Sequence, residues 1–115
     1  MTKNLLKKYI YEGLGFPIEL HNIEMVFVNG EYVPKIDIRS IADKAIKNLI
    51  LQQTKLTGNQ IRFIRSYFSF SLRDFSKIVN ESHTAVSKWE PFKNKPTNMD
   101  PNSEAKIREY LYGKT

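Results

Sequence analysis

The stretch SLRDFSKIVNESHTAVSKWE, residues 71–90, reads as two short helices joined by a tight turn. Ser71 can cap the first helix with its hydroxyl, and Asp74 three residues on returns a carboxylate to the same helix start. Leu72, Phe75, Ile78 and Val79 supply the apolar positions. Asn80 ends the helix, because Asn tolerates the left-handed backbone that a tight turn needs. Ser82 then caps a second helix, predicted to run from His83 to about Glu90, where Pro91 stops propagation. Ala85, Val86 and Trp89 give this helix a side to bury, and Trp89 reads as core. His83, Thr84, Ser87 and Lys88 give it a polar side. A helix that enters a DNA major groove, about 12 Å wide, needs that division. So does any amphipathic surface helix, and the pattern alone leaves both readings open.

Outward from this pair, Thr57 caps a helix predicted over Gly58–Tyr67, with Ile61, Ile64 and Phe68 facing inward. After the loop PFKNKPTNM, Asp100 and Pro101 open a final helix that ends near Gly113. Upstream, Asp37 caps a helix predicted from Ile38 to about Gln53, with Ile38, Ile41, Ala42, Ala45, Ile46 and Leu49 as its apolar stripe. Before it, Asn29-Gly30 signals a type I′ hairpin between strands at Glu24–Val28 and Glu31–Ile36, the second weakened by Pro34. Leu5–Tyr11 is a short apolar and basic stretch with no assigned element. The main division falls near Lys55, giving a hairpin-plus-helix segment over residues 1–55 and a helix-turn-helix domain over 56–115. The class expected is mainly α.

The chain has 115 residues, with 18 Lys and Arg against 12 Asp and Glu, for a net charge of +6. Eight basic and six acidic residues lie in 1–56, and ten and six in 57–115, so the excess leans toward the C-terminal half. A polyanionic partner fits that balance, and so does a solubilising surface. With no Cys, disulfides, thiolate metal sites and thiol nucleophiles are excluded. His21 and His83 stand far apart, and no metal or cofactor is expected. No apolar run approaches membrane-spanning length, and the basic start MTKNLLKKYIYEGLG has no signal-peptide pattern, so an unprocessed cytoplasmic protein without a membrane partner is expected. Acid pairs such as Glu19 with Glu24 lack the supporting groups that hydrolysis needs, so no enzyme is expected.

The run F-S-L-x-x-F-S, an apolar pair, then N-E-S-H-x-A-V-S-K-W-E resembles the helix-turn-helix of the phage-repressor-like (Xre) family. From Gly13-Leu-Gly-Phe-Pro through LTGNQIRFIRSYF to MDPNSEAKIREYL, the chain is similar to antitoxins of the HigA and MqsA type, without their zinc module. The resemblance implies a lambda-repressor-like helical domain with an N-terminal hairpin and helix. It also implies a homodimer on double-stranded operator DNA, repression of its own operon, and a cognate ribonuclease toxin bound through the N-terminal segment. A stand-alone regulator of the same family is the alternative.

Matched residue by residue, His83, Thr84 and Lys88 fall on base-reading positions, with Ser87 beside them. Ser71 and Leu72 fall at the phosphate-facing helix start. Leu72 replaces the Gln found there in many members, which removes a side-chain contact and leaves a backbone N–H. Arg62, Arg73, Lys77 and Lys93 are candidate phosphate contacts. Ser76 takes the small-residue position where the helices cross, and Asn80 replaces the usual turn Gly. Arg65 and Glu90 match a pair that in some repressors joins the first helix to the end of the recognition helix.

Overall fold

Turn chemistry organises the N-terminal third. In the computed structural model, which describes residues 5–114, β2 (Ile18–Val28) and β3 (Glu31–Pro34) form an antiparallel hairpin around Asn29-Gly30. Asn29 and Gly30 take φ of 50° and 85°, the two positive values that a type I′ turn requires. Pro34, with no N–H to donate, closes β3 after four residues. A further strand, β1 (Leu5–Tyr11), pairs antiparallel with β2 from Leu5 opposite Glu24 to Tyr11 opposite Ile18. The sheet order is β1-β2-β3. Residues 1–4 of the basic start lie outside the described residues.

The expectation of a mainly α, lambda-repressor-like chain is therefore corrected. Among the described residues, five α-helices accompany a three-stranded antiparallel sheet, 48% helix against 22% strand, which is a mixed α/β arrangement. The physical reason sits in Leu5–Tyr11. Leu-Leu-Lys-Lys groups like residues in pairs, so no period-of-two signal marks it. It becomes a strand by pairing with β2, whose eleven residues extend well upstream of the predicted Glu24 start.

Local caps set the helices. In α1 (Ile38–Leu51), Asp37 accepts from the Ser40 N–H at 3.2 Å. The helix stops two residues short of Gln53, because the Gln52 amide turns away to donate to the Thr54 and Lys55 carbonyls and to exchange bonds with the Gln60 amide at 3.1 and 3.0 Å. In α2 (Gly58–Tyr67), Thr57 and Gln60 close a capping box. The last helix, α5 (Pro101–Gly113), starts where Asp100 accepts from the Asn102 N–H.

One core joins these elements. Phe16, Ala45, Ile46 and Leu49 from the N-terminal part are buried with Leu56, Ile61, Ile64, Phe75, Val79, Val86, Trp89, Ile107 and Leu111. Ile38, expected in the α1 stripe, is instead 61% exposed at the helix start. The carbonyls ending α1, which have no partners inside their own helix, are taken by Arg108 of α5. Its guanidinium donates to Leu49, Ile50, Gln52 and Thr54 oxygens at 2.8, 3.3, 2.7 and 2.9 Å. Glu104 holds it from the same helix at 3.3 Å and also accepts from the Leu56 N–H. A cation at a helix C-terminus also meets the negative end of the helix dipole. Among the described residues, no helix is long and apolar enough to cross a membrane.

Arg108→Met keeps the apolar stem and removes these bonds. Since charge-assisted bonds at a partly buried carbonyl cluster contribute more than neutral ones, the expected loss is about 2–3 kcal/mol by urea unfolding. A loss within about 0.5 kcal/mol, the range of an ordinary surface change, would contradict the capping role.

Candidate nucleic-acid interface

A second capping box opens α3 (Leu72–Val79). The Ser71 hydroxyl accepts from the Asp74 N–H at 3.0 Å, and the Asp74 carboxylate accepts from the Ser71 N–H at 3.2 Å. The Ser71 backbone N–H first, and the Ser71 side chain after it, hold the Asp74 carboxyl below its ordinary range. Phe75 and Val79 enter the core, and Ser76 is buried with its hydroxyl donating to the Arg73 carbonyl. Asn80 turns the chain at φ 56° and ψ 46°, the left-handed region, with its own N–H and that of Glu81 on the Ser76 carbonyl. Ser82 then caps α4 (His83–Ser87) by accepting from the Ala85 N–H at 3.1 Å.

The second helix is shorter than its predicted extent to Glu90. Pro91 has no N–H, and its ring excludes a helical carbonyl four residues back, at Ser87. The Lys88 and Trp89 N–H groups bond three residues back, to Ala85 and Val86, before a single 3-10 turn at Glu90–Phe92. Lys88 therefore sits at the end of α4 and not within it.

Helix α2 fixes this unit from behind. A Cβ on Gly58 would lie 2.5 Å from the Trp89 carbonyl, 2.6 Å from that of Glu90 and 2.7 Å from the Lys93 nitrogen. Backbone meets backbone there, so only glycine fits. The Asn59 N–H donates to the Lys93 carbonyl at 2.8 Å. Six residues beyond Asn59, Arg65 makes a two-pronged bond to Glu90, Nε to Oε2 at 2.9 Å and Nη2 to Oε1 at 3.1 Å, and its Nη1 donates to the Phe70 carbonyl. The bond to Glu90, outweighing partial burial, raises the Arg65 guanidinium still further above neutral pH.

The sequence-predicted residues divide clearly. His83, Thr84 and Lys88 are exposed, with side chains that make no hydrogen bond or ion pair among the described residues. Ser87 is half-buried, and its hydroxyl donates back to the Thr84 carbonyl at 2.7 Å. The Ser71 hydroxyl is engaged as a cap, and Leu72 packs against the core. Arg73 and Lys77 are exposed on α3. Lys93 is exposed at φ 56° and ψ −121°, a region that glycine favours and a lysine occupies under strain. Arg62 lines a cleft of about 640 Å³ between α2 and the β1–β2 loop, beside Leu14, Phe63 and Ser66. Arg65 and Glu90 are brought together. Gly58 and Asn59 are the positioning residues that sequence reasoning missed, and a glycine in the first turn of a capped helix was the available signal.

No protein-family model, curated protein or solved structure matches the chain.

A double-mutant cycle with Arg65→Met and Glu90→Gln on unfolding stability reads the contact directly. With side chains only 25% and 17% exposed and two parallel bonds, the expected coupling is about 1–2 kcal/mol. Single losses that add within about 0.3 kcal/mol would remove the contact as a brace.

Proposed function

We propose that the chain is a DNA-binding regulator that reads duplex DNA with the α4 end of the helix pair. The observation that carries this is the free polar set of His83 and Thr84 on a short helix and Lys88 at its end, with the helix braced from behind. Thr84 can hydrogen-bond a base or touch a thymine methyl, and Lys88 can donate to guanine O6 or N7. Arg73, Lys77 and Lys93 supply cations beside them for phosphate contacts, which carry affinity and set orientation.

Lys93 adds a separate argument. A lysine held where glycine is favoured costs on the order of 1–3 kcal/mol, and a side chain kept against that cost fits a use for its charge. Two copies of the chain would present two α4 helices to half-sites about 34 Å apart, one turn of the duplex. Repression of its own operon and neutralisation of a ribonuclease toxin in the cytoplasm rest on the resemblance to HigA- and MqsA-type antitoxins alone. No side chain is assigned to the toxin. A stand-alone regulator would use the same α4 end.

The experiment selects preferred sites from a random duplex pool and measures affinity for them and for scrambled DNA across a salt series. Lys88→Ala is expected to weaken the selected site by about 1–3 kcal/mol and scrambled DNA much less. Lys93→Gly is expected to weaken both alike, to reduce the salt slope by about one, and to raise folding stability by about 1 kcal/mol. Affinities for duplex DNA unchanged in both variants would overturn the proposal.

A further inference from the structure

Charge is unevenly committed over the helix pair. Between Ser71 and Lys93 the cations are Arg73, Lys77, Lys88 and Lys93, and the carboxylates are Asp74, Glu81 and Glu90. None of those four cations stands in an ion pair among the described residues. All three carboxylates are engaged. Asp74 closes the α3 capping box, and Glu90 is gripped by Arg65. Glu81, between the Asn80 turn and the Ser82 cap, is half-buried and accepts from the Ser103 hydroxyl of α5 at 2.8 Å.

The Glu81 tie differs from that of Glu90. Ser103 is 2% exposed, so its hydroxyl needs a partner inside the protein. It stands in the first turn of α5, where the helix end carries partial positive charge and favours a carboxylate. A hydroxyl donating to a carboxylate makes a charge-assisted bond, yet it leaves the negative charge in place, whereas Arg65 offsets that of Glu90. The bond therefore governs where the Glu81 charge lies, not whether it exists. The Glu81 backbone is fixed separately, by its N–H on the Ser76 carbonyl at 3.0 Å. With the backbone held, the side chain has two courses: back onto α5, or out to solvent beside the exposed Ser82 and His83.

We infer that Ser103 is a positioning residue for DNA binding, drawing the Glu81 carboxylate back onto α5 and away from phosphates that approach α4. The inference rests on the DNA reading. A phosphate backbone repels a carboxylate on the surface that meets it, whatever the base sequence. Glu81 thus affects affinity without touching DNA, and the bond from Ser103 limits that effect.

Affinity of the full chain for the selected duplex and for scrambled DNA, measured from about 50 to 300 mM salt, tests this. Ser103→Ala removes the hydroxyl with little change in volume. It is expected to weaken both duplexes about threefold at the low end, through repulsion by one released charge, and by less than about 1.3-fold at the high end. Adding Glu81→Gln to Ser103→Ala is expected to restore the affinity of the unmodified chain, since the released side chain is then neutral. A loss confined to the selected site, equal at both salts and not restored by Glu81→Gln, would mean that Ser103 only sets the angle of α4, and would overturn the inference. Lys88→Ala measured alongside separates the two failures. If Lys88→Ala leaves affinity for the selected site unchanged, the DNA reading falls and this inference with it. If Lys88→Ala weakens that site while Ser103→Ala changes neither duplex, the inference falls alone.

Discussion

The two-pronged bond from Arg65 to Glu90 anchors the exit of a helix too short to hold its own place. Five residues cannot sustain an α-helix in water, since nucleation costs more than so few bonds return. α4 therefore takes its orientation from what touches its ends. The Ser82 cap and the left-handed Asn80 set its start relative to α3, and Arg65 sets its exit relative to α2. Gly58 allows α2 to approach until its backbone touches the carbonyls of Trp89 and Glu90. With both ends set and Val86 and Trp89 buried between them, His83, Thr84 and Lys88 have one direction left to face.

Arg108 plays the corresponding part for the N-terminal half. It binds the carbonyls at the end of α1 from α5, so α1 and the helices behind α4 share one core and one polar joint. Phe16 of the β1–β2 loop enters that core as well. Of the strands, Ile18 at the start of β2 packs against its edge, which leaves the hairpin beyond it as the part of the chain least supported by its own fold.

What the sequence disclosed follows from the range of each interaction. Asp37, Thr57, Ser71, Ser82 and Asp100 cap helices through bonds two or three residues away, and each start was legible. Asn80 and Asn29-Gly30 were legible for the same reason, as backbone preferences of single residues. The pairing of β1 was not, because Leu-Leu-Lys-Lys carries no alternation and its partner lies about a dozen residues downstream. Nor was the early end of α4, although Pro91 excludes the carbonyl of Ser87 by a local rule that the helical pattern through Trp89 obscured. The long-range contacts of Gly58 and Arg108, which depend on tertiary approach, left only a misplaced glycine as a trace. At the candidate interface, residue types on α4 pointed to the exposed set, but could not separate Ser87, turned inward to the Thr84 carbonyl, from its neighbours.

The central claim is that DNA meets this chain at the braced helix pair. Backbone amide shifts of the full chain, titrated with a duplex carrying its selected site, test it most directly. The largest shifts should fall at residues 71–74, 82–88 and 93, with the hairpin of β2 and β3 unmoved by DNA. Shifts concentrated in the strands or in the Arg62 cleft, with α4 unchanged at saturation, would contradict it.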